Sequence, residues 1–179
     1  MMFTDVQKAP PILLKTIIGI AAISTLFCAG IVVLFQIDDA NQHPSAWGAV
    51  VGLALLHVVL VVLFANSILT VRLSSDGVHL RFRPFQRKGR TISWTDVDRI
   101  VVRKVNAFGE FGGWGIRWNL YRSTGYVWNS KTGIELFLRS GKRVVVTIAD
   151  IEGARHLLNT LVTERIITAT VDDRLITLP

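Results

Sequence analysis

IIGIAAISTLFCAGIVVLF, residues 17–35, is an apolar run of nineteen residues without a charged side chain. A second run, AWGAVVGLALLHVVLVVLFANSIL at residues 46–69, is twenty-four residues long. With a rise of about 1.5 Å per residue, helices of these lengths extend about 29 and 36 Å, which is enough to cross a hydrocarbon core of ~30 Å. The two runs therefore predict transmembrane helices at about residues 12–36 and 46–68.

A cleaved signal peptide is the alternative explanation of the first run, because Lys8 and Lys15 precede it. The run is longer than the usual h-region of about 7–15 residues, and no small-x-small cleavage site follows it. A second apolar run also begins after only ten residues. We therefore expect a retained helix that pairs with the second span as an antiparallel hairpin.

The charges beside the two spans predict their orientation. Two lysines precede the first span and six Lys or Arg residues follow the second between residues 72 and 90, whereas the connection IDDANQHPSA contains two aspartates and neither Lys nor Arg. The positive-inside rule places such a short acidic loop outside and both termini in the cytoplasm. The predicted localisation is the cell membrane (inner or plasma membrane), which the chain crosses more than once.

One ionisable side chain, His57, lies near the middle of the second span, at the depth of Ser24 and Thr25 in the first. An ionisable residue inside a membrane is a functional candidate, and a proton relay is one hypothesis. A relay needs a chain of such groups, and neither apolar run contains Asp, Glu, Lys or Arg. We favour a neutral His57 that is hydrogen-bonded to Ser24 or Thr25, in a hairpin that serves as an anchor.

From residue 70 onward the sequence pattern is that of a small sheet domain. Apolar and polar residues alternate in short runs separated by turn sequences such as SSDG at residues 74–77. The period becomes helical after Asp150, a candidate N-cap that precedes an apolar stripe over residues 151–162. The predicted fold class is a membrane-anchored α+β protein, in which a hairpin at residues 1–69 precedes seven or eight antiparallel strands and one helix at residues 70–163. The tail at residues 164–179 gives mixed signals.

The stretch GEFGGWGIRWNLYRSTGYVW, residues 109–128, contains five glycines. It lacks the GxxxxGK[ST] pattern of a phosphate loop, and predicted strands rather than a βαβ unit surround it. A bulge or tight bend before Ile116 is favoured over a ligand loop. The rings in this stretch predict a hairpin with cross-strand aromatic pairs formed among Trp114, Trp118, Tyr121, Tyr126 and Trp128.

This order of elements resembles the pleckstrin-homology-like (PH-like) domains of bacterial membrane proteins, many of them of unknown function. The resemblance covers about residues 69–162, and its most specific element is GGWGIR at residues 112–117. The resemblance implies a bent sandwich or barrel closed by the C-terminal helix, with one or two transmembrane helices before the domain. It implies no catalytic residues. The other matching elements are WTDV (94–97), GIEL (133–136), GKR (141–143) and TIAD (147–150).

RFRPFQRKGR, residues 81–90, concentrates five cations and two phenylalanines. With a turn at residues 74–77, the second strand runs back by the length of the first and returns this segment to the bilayer surface. Anionic headgroups attract juxtamembrane cations by about 1 kcal/mol each, whereas topology and solubility alone also account for such charges. The lipid-binding candidates are Arg81, Arg83, Phe85, Arg87, Lys88 and Arg90.

The sequence contains no motif for catalysis, for a cofactor or for a metal. It has no HExxH or G-x-S-x-G pattern, and its single cysteine, Cys28, lies within a span. We therefore expect a non-enzymatic membrane protein whose domain contacts anionic lipid headgroups, and the membrane tether disfavours nucleic-acid binding. The alternatives are a subunit or regulator of a membrane complex that docks a protein partner and, more remotely, a membrane enzyme or transporter component. The sequence does not indicate an oligomeric state.

Overall fold

The computed structural model of the protein describes residues 1–38, 44–118 and 123–175. The chain divides into two compact units, of which one is Ala9–Asn66 and the other combines Met1–Lys8 with Ser67–Pro179. The sequence pattern groups residues 1–8 with the membrane hairpin, but the structure groups them with the sheets. The reason is that residues 2–8 pair with the first strand after the hairpin.

The helical unit contains α1 (Pro11–Asp38) and α2 (Pro44–Ala65). Each helix begins with a proline, whose missing N–H removes no intrahelical hydrogen bond at the first helical position. The second helix ends three residues before the predicted end at residue 68, because Ile68 already belongs to a strand. Half of the acidic connection, residues 39–43, lies outside the described residues.

Four strands form the first sheet, and all neighbouring pairs in it are antiparallel. The predicted turn at residues 74–77 is confirmed, with Leu73 opposite Val78 and Leu69 opposite Phe82. These four side chains are buried, as expected for strands that cover a core with one face. In spatial order the strands are β1 (Met2–Lys8), β2 (Ile68–Ser74), β3 (Gly77–Arg83) and β4 (Arg90–Ser93).

The second sheet has six strands and mixes parallel with antiparallel pairs. The prediction of a purely antiparallel sheet is wrong, because the hairpin at residues 132–147 folds its second strand against residues 123–127 in a parallel pair. The tail also contributes a strand, which pairs in parallel with residues 99–102. The strands are β5 (Val97–Lys104), β6 (Gly115–Trp118), β7 (Ser123–Val127), β8 (Thr132–Leu138), β9 (Arg143–Thr147) and β10 (Thr170–Asp173), in the spatial order β10-β5-β8-β9-β7-β6.

Two further α-helices and a 3-10 turn at Trp94–Asp96 accompany the sheets. Asp150 caps α4 (Ile151–Thr163) by accepting a hydrogen bond from the Gly153 amide at 3.0 Å, which confirms the predicted N-cap. Short helix α3 (Ala107–Phe111), which the sequence pattern does not predict, follows β5. The described strands form two open sheets rather than a closed barrel. The fold therefore consists of two apolar helices and a mixed α+β unit.

The glycine-rich stretch has backbone geometry that requires glycine. Gly112 has φ +67° at the C-terminus of α3, and Gly113 and Gly115 also have positive φ, which confirms the predicted bend before Ile116. The predicted aromatic pairing is wrong for the described rings. Trp118 lies opposite Thr124 and Tyr126 opposite Ile116. Trp128 follows the end of β7 and Trp114 precedes β6, while Tyr121 lies outside the described residues.

Candidate membrane-facing surface

The sheet unit has one end at which its chain continues into the two helices, here called the connecting end. Lys8, the last residue of β1, lies opposite Ile68, the first residue of β2, which in turn lies opposite Arg83 at the end of β3. Directly opposed residues point to the same face of a sheet. Because neighbouring strands are about 4.8 Å apart, the backbones of Lys8 and Arg83 are separated by roughly 10 Å. Both side chains are exposed, so they form one cationic row.

The segment after β3 is held against the buried side of the sheet unit. The Gln86 amide donates to the Phe82 carbonyl at 2.7 Å and closes a turn. The Phe85 ring stacks on the Phe82 ring with centroids 5.4 Å apart, and Phe82 packs edge-on against Trp128 at 4.8 Å. Phe85 nevertheless keeps 51% of its surface exposed. The contacts thus fix the position of a ring that is half in solvent.

The structure brings most of the predicted cations to one surface. Arg81 and Arg83 lie on the exposed face of β3, and Arg87 and Lys88 are exposed in the following loop, where Arg81 Nη2 donates to the Arg87 carbonyl at 3.3 Å. Arg90 differs, because it lies opposite the buried Leu80 and is itself partly buried. Within the described part of the chain, no carboxylate oxygen lies within 4 Å of a cationic nitrogen of these five residues.

A buried polar network fastens β1 to the six-stranded sheet. The Asp5 carboxylate, on a residue only 6% exposed, accepts from Gln7 Nε2 at 2.7 Å and from the Ala149 amide at 3.0 Å. Gln7 Nε2 also donates to the Thr147 carbonyl at 2.6 Å, and Thr147 Oγ1 donates to Gln7 Oε1 at 3.2 Å. The Trp128 amide in turn donates to Thr147 Oγ1 at 2.9 Å. These bonds place the ends of β7 and β9 at the connecting end.

A second polar cluster joins α3 to the six-stranded sheet. Arg103 donates from Nη1 and Nη2 to the Glu110 carboxylate at 3.0 and 2.7 Å, and from Nε to Glu135 Oε2 at 2.7 Å. Burial raises the pKa of Glu110, but the hydrogen bonds from Arg103 and the Asn106 amide together with the Arg103 charge outweigh it, so the net pKa lies below the ordinary value. Burial likewise lowers the pKa of Arg103, and the two carboxylates outweigh it, so that its net pKa is raised.

In the helical unit, the structure brings His57 together with both hydroxyl groups named from the sequence. Ser24 Oγ lies 3.3 Å from His57 Nε2, and Thr25 Oγ1 lies 3.0 Å from His57 Nδ1. Ser24 Oγ also lies 3.2 Å from the Ala21 carbonyl. A neutral imidazole has one donor and one acceptor nitrogen, so this pair of hydroxyls can satisfy the ring completely. The geometry suits a polar link between two apolar helices.

Sequence reasoning missed Lys8 as part of the basic surface, and it also missed the exposed aromatic residue Phe108 on α3, which is 60% exposed. Lys8 joins the surface only through strand pairing. The two buried residues of β1, Asp5 and Gln7, are polar, so no apolar alternation marks this strand. Within the described residues, no group of three or more His, Cys, Asp and Glu side chains is arranged to hold a metal ion.

No protein-family model matches the chain, and no curated protein matches it. The resemblance to PH-like domains therefore stays a prediction. What the structure establishes is the pair of apolar helices, the mixed α+β unit, and a cationic surface at the end where the two are connected.

Proposed function

We propose that the protein is a non-enzymatic integral membrane protein whose cytoplasmic sheet unit contacts anionic lipid headgroups. The observation that carries the proposal is the row of Lys8, Ile68 and Arg83, which lies at the end of the sheet unit where the chain continues into α1 and α2. The exposed Arg87 and Lys88 follow this row directly in the chain.

Two features support membrane insertion of the helices. Residues Pro11–Leu34 and Trp47–Ala65 are long and apolar enough to cross a bilayer. In the most apolar 18 residues of each, only 6% and 0% are buried within the protein, whereas the core helix of a soluble protein is mostly buried. In addition, β1 precedes α1, β2 follows α2, and the two strands pair along their whole length. A chain that crosses a bilayer twice returns to its starting side, as this pairing requires.

The expected attraction is short-ranged and depends on salt. Only two residues separate Ala65 from Ile68, so covalent geometry keeps Ala65 and Ile68 within about 10 Å of each other. This distance is comparable to the Debye length of ~8 Å at physiological ionic strength. At about 1 kcal/mol for each cation near an anionic surface, Lys8, Arg83, Arg87 and Lys88 together supply roughly 4 kcal/mol. The positive-inside rule assigns this surface to the cytoplasmic leaflet.

The proposal can be tested with a hairpin-deleted variant, in which a two-residue Asn-Gly turn replaces residues 9–67. The turn then links Lys8 to Ile68, the residue with which it pairs. After circular dichroism has verified its fold, the variant is sedimented with neutral and with anionic vesicles over a salt series. We expect binding to anionic vesicles only, weakening as salt rises, and further weakening by Arg87→Ser/Lys88→Ser.

The matched control is Arg139→Ser/Lys142→Ser, which removes two exposed cations from the loop between β8 and β9. This loop lies at the opposite end of the sheet unit, because the Arg139 amide bonds to the Asp96 carbonyl near the start of β5. Equal weakening by both double variants would show attraction by net charge rather than by a surface. A folded variant that binds no anionic vesicle at low salt would refute the lipid proposal.

Docking of a protein partner is a second candidate function, which the edge strand β6 favours. Among the described residues β6 pairs with β7 alone, and its Trp118 is 79% exposed. An exposed aromatic ring on a free edge is a common feature of protein interfaces. Crosslinking through position 118 in membranes should recover one stoichiometric partner if this function applies, and only lipid or nothing if it does not.

A further inference from the structure

Helix α3 lies at the connecting end of the sheet unit. It follows a strand of the six-stranded sheet, whereas the cationic row lies on the four-stranded sheet. The helix follows the end of β5, where the Val105 amide donates to the Lys131 carbonyl at 2.8 Å. The segment that contains Lys131 also contains Trp128, whose ring contacts Phe82 at 4.8 Å beside Arg83. These contacts place α3 at the same end as the cationic row, on the six-stranded side.

A pair of aromatic rings, formed by the exposed Phe108 of this helix and the partly buried Trp114 that follows it, marks this place. The Phe108 ring packs edge-on against Trp114 with centroids 4.7 Å apart, and Phe108 is 60% exposed. Arg117 Nε donates to the Trp114 carbonyl at 2.9 Å, so a guanidinium lies beside the pair. The helix that carries Phe108 is attached to the sheet unit by the buried Phe111 and by the bidentate bond from Arg103 to Glu110. The ring is thus exposed on a firmly attached element.

The charges around the pair complement an anionic surface. Exposed cations flank it in the chain at Lys104, Arg117 and Lys131. Residues 111–134 contain no Asp or Glu, and Glu110, the carboxylate nearest in sequence, is already paired with Arg103. Aromatic rings next to cations are the composition that prefers the headgroup region of a bilayer, where the ring is shielded from water and the cation meets phosphate.

We propose that Phe108 and Trp114 form a second contact with the same leaflet, in which the rings enter the headgroup interface while Lys8, Arg83 and the following loop bind headgroup charges. This inference rests on the proposed function and adds the apolar part of the contact. With one contact on each sheet, the sheet unit has a defined orientation on the bilayer rather than a flexible electrostatic attraction.

The test uses the full chain in anionic proteoliposomes, after Cys28→Ser has removed the single native thiol. Single cysteines are introduced as Phe108→Cys, Arg87→Cys and Trp118→Cys, and each is labelled with the environment-sensitive dye NBD. Trp118 is the matched control, because it is another exposed aromatic residue, and its neighbour β7 begins beside Arg143, away from the connecting end. Lipids that carry a nitroxide just below the headgroup quench any label that enters the interface.

We expect quenching and a blue shift at positions 108 and 87, and neither change at position 118. Quenching at 87 but not at 108 would overturn this inference and leave the proposed function standing, whereas no quenching at either position would refute both. A blue shift at 108 without quenching would indicate burial against protein and would also overturn the inference. Equal quenching at 108 and 118 would exclude a defined orientation and refute it.

Discussion

The replacement of Asp5 by alanine tests whether the N-terminal strand is an integral part of the sheet unit. Asp5 is on the buried face of β1 and is 6% exposed. Its carboxylate accepts three hydrogen bonds, from Gln7 Nε2 at 2.7 Å and from the amides of Ala149 and Asp150 at 3.0 and 3.4 Å. Alanine removes all three acceptor contacts and leaves Gln7 Nε2 with the Thr147 carbonyl, while Gln7 Oε1 still accepts from Thr147 Oγ1.

The expected loss of stability follows from these partners. Hydrogen bonds to a charged group contribute about 1.5–3 kcal/mol each, and an unsatisfied buried donor costs about 1–3 kcal/mol. Ala149 and Asp150 are exposed, so water can replace the carboxylate at their amides, and the Asp150 bond is long. We therefore expect Asp5→Ala to lower the free energy of unfolding by ~2–4 kcal/mol, less than the sum of three intact bonds. For a unit of this size that is a fall in Tm of roughly 10 °C.

The assay is thermal and urea unfolding of the hairpin-deleted variant, followed by circular dichroism. Thr4→Ala is the control, because Thr4 is the exposed neighbour on the same strand and should change the free energy of unfolding by less than about 0.5 kcal/mol. Asp5→Asn, which keeps one acceptor oxygen, should fall between the two. If Asp5→Ala unfolds together with the Thr4→Ala control, the carboxylate does not fasten β1, and the reasoning is refuted.

Two further predictions concern packing and pH. A Cβ atom added at Gly125 would lie 2.6 Å from the ring of Phe111, so Gly125→Ala should lower the free energy of unfolding by about 1–3 kcal/mol in urea titrations; unchanged stability would mean that the ring moves aside freely. Because the pKa of Glu110 is lowered in the folded state, its contribution is complete above the unfolded value of about 4.3 and is lost as pH falls through the folded value. Urea titrations at a series of acidic pH values should show a smaller loss of stability for Glu110→Gln than for the native protein. The control Glu152→Gln, on an exposed helix face, should keep the native pH dependence. Identical curves for all three proteins would contradict the contribution assigned to Glu110.

Patterns that are local in sequence were sufficient for much of the fold. Two long uncharged runs predict α1 and α2, the apolar stripe behind Asp150 predicts α4, and the SSDG sequence predicts the β2–β3 turn. Three elements escape such patterns. The strand β1 buries polar residues, α3 is only five residues long, and β10 is four residues long with half of its residues acidic. Their stability comes from partners distant in the chain.

The candidate surface, like the fold, is predictable from the sequence only in part. A run of cations at residues 81–90 is visible in the sequence, but its limits are not, because the pairing of Leu80 with Arg90 turns that arginine away from the exposed face. Conversely, Lys8 and Phe108 have no signal of their own in the sequence. They join the surface through the β1–β2 register and through the bond between Val105 and Lys131, which are contacts that alternation of residue types cannot specify.

The pairing of β1 with β2 also has a consequence for biosynthesis. The strand β1 is synthesised before its partner β2, and the 59 residues between them include both apolar helices. Bringing together the ends of a free loop of that length costs conformational entropy, whereas the proposed insertion of two antiparallel spans would bring these ends together. A chain inserted with one span missing would hold β1 and β2 on opposite sides of the bilayer, with the edge of β2 unpaired and open to aggregation or proteolysis. If the two helices cross the bilayer as proposed, completion of the four-stranded sheet therefore requires that both spans have been inserted.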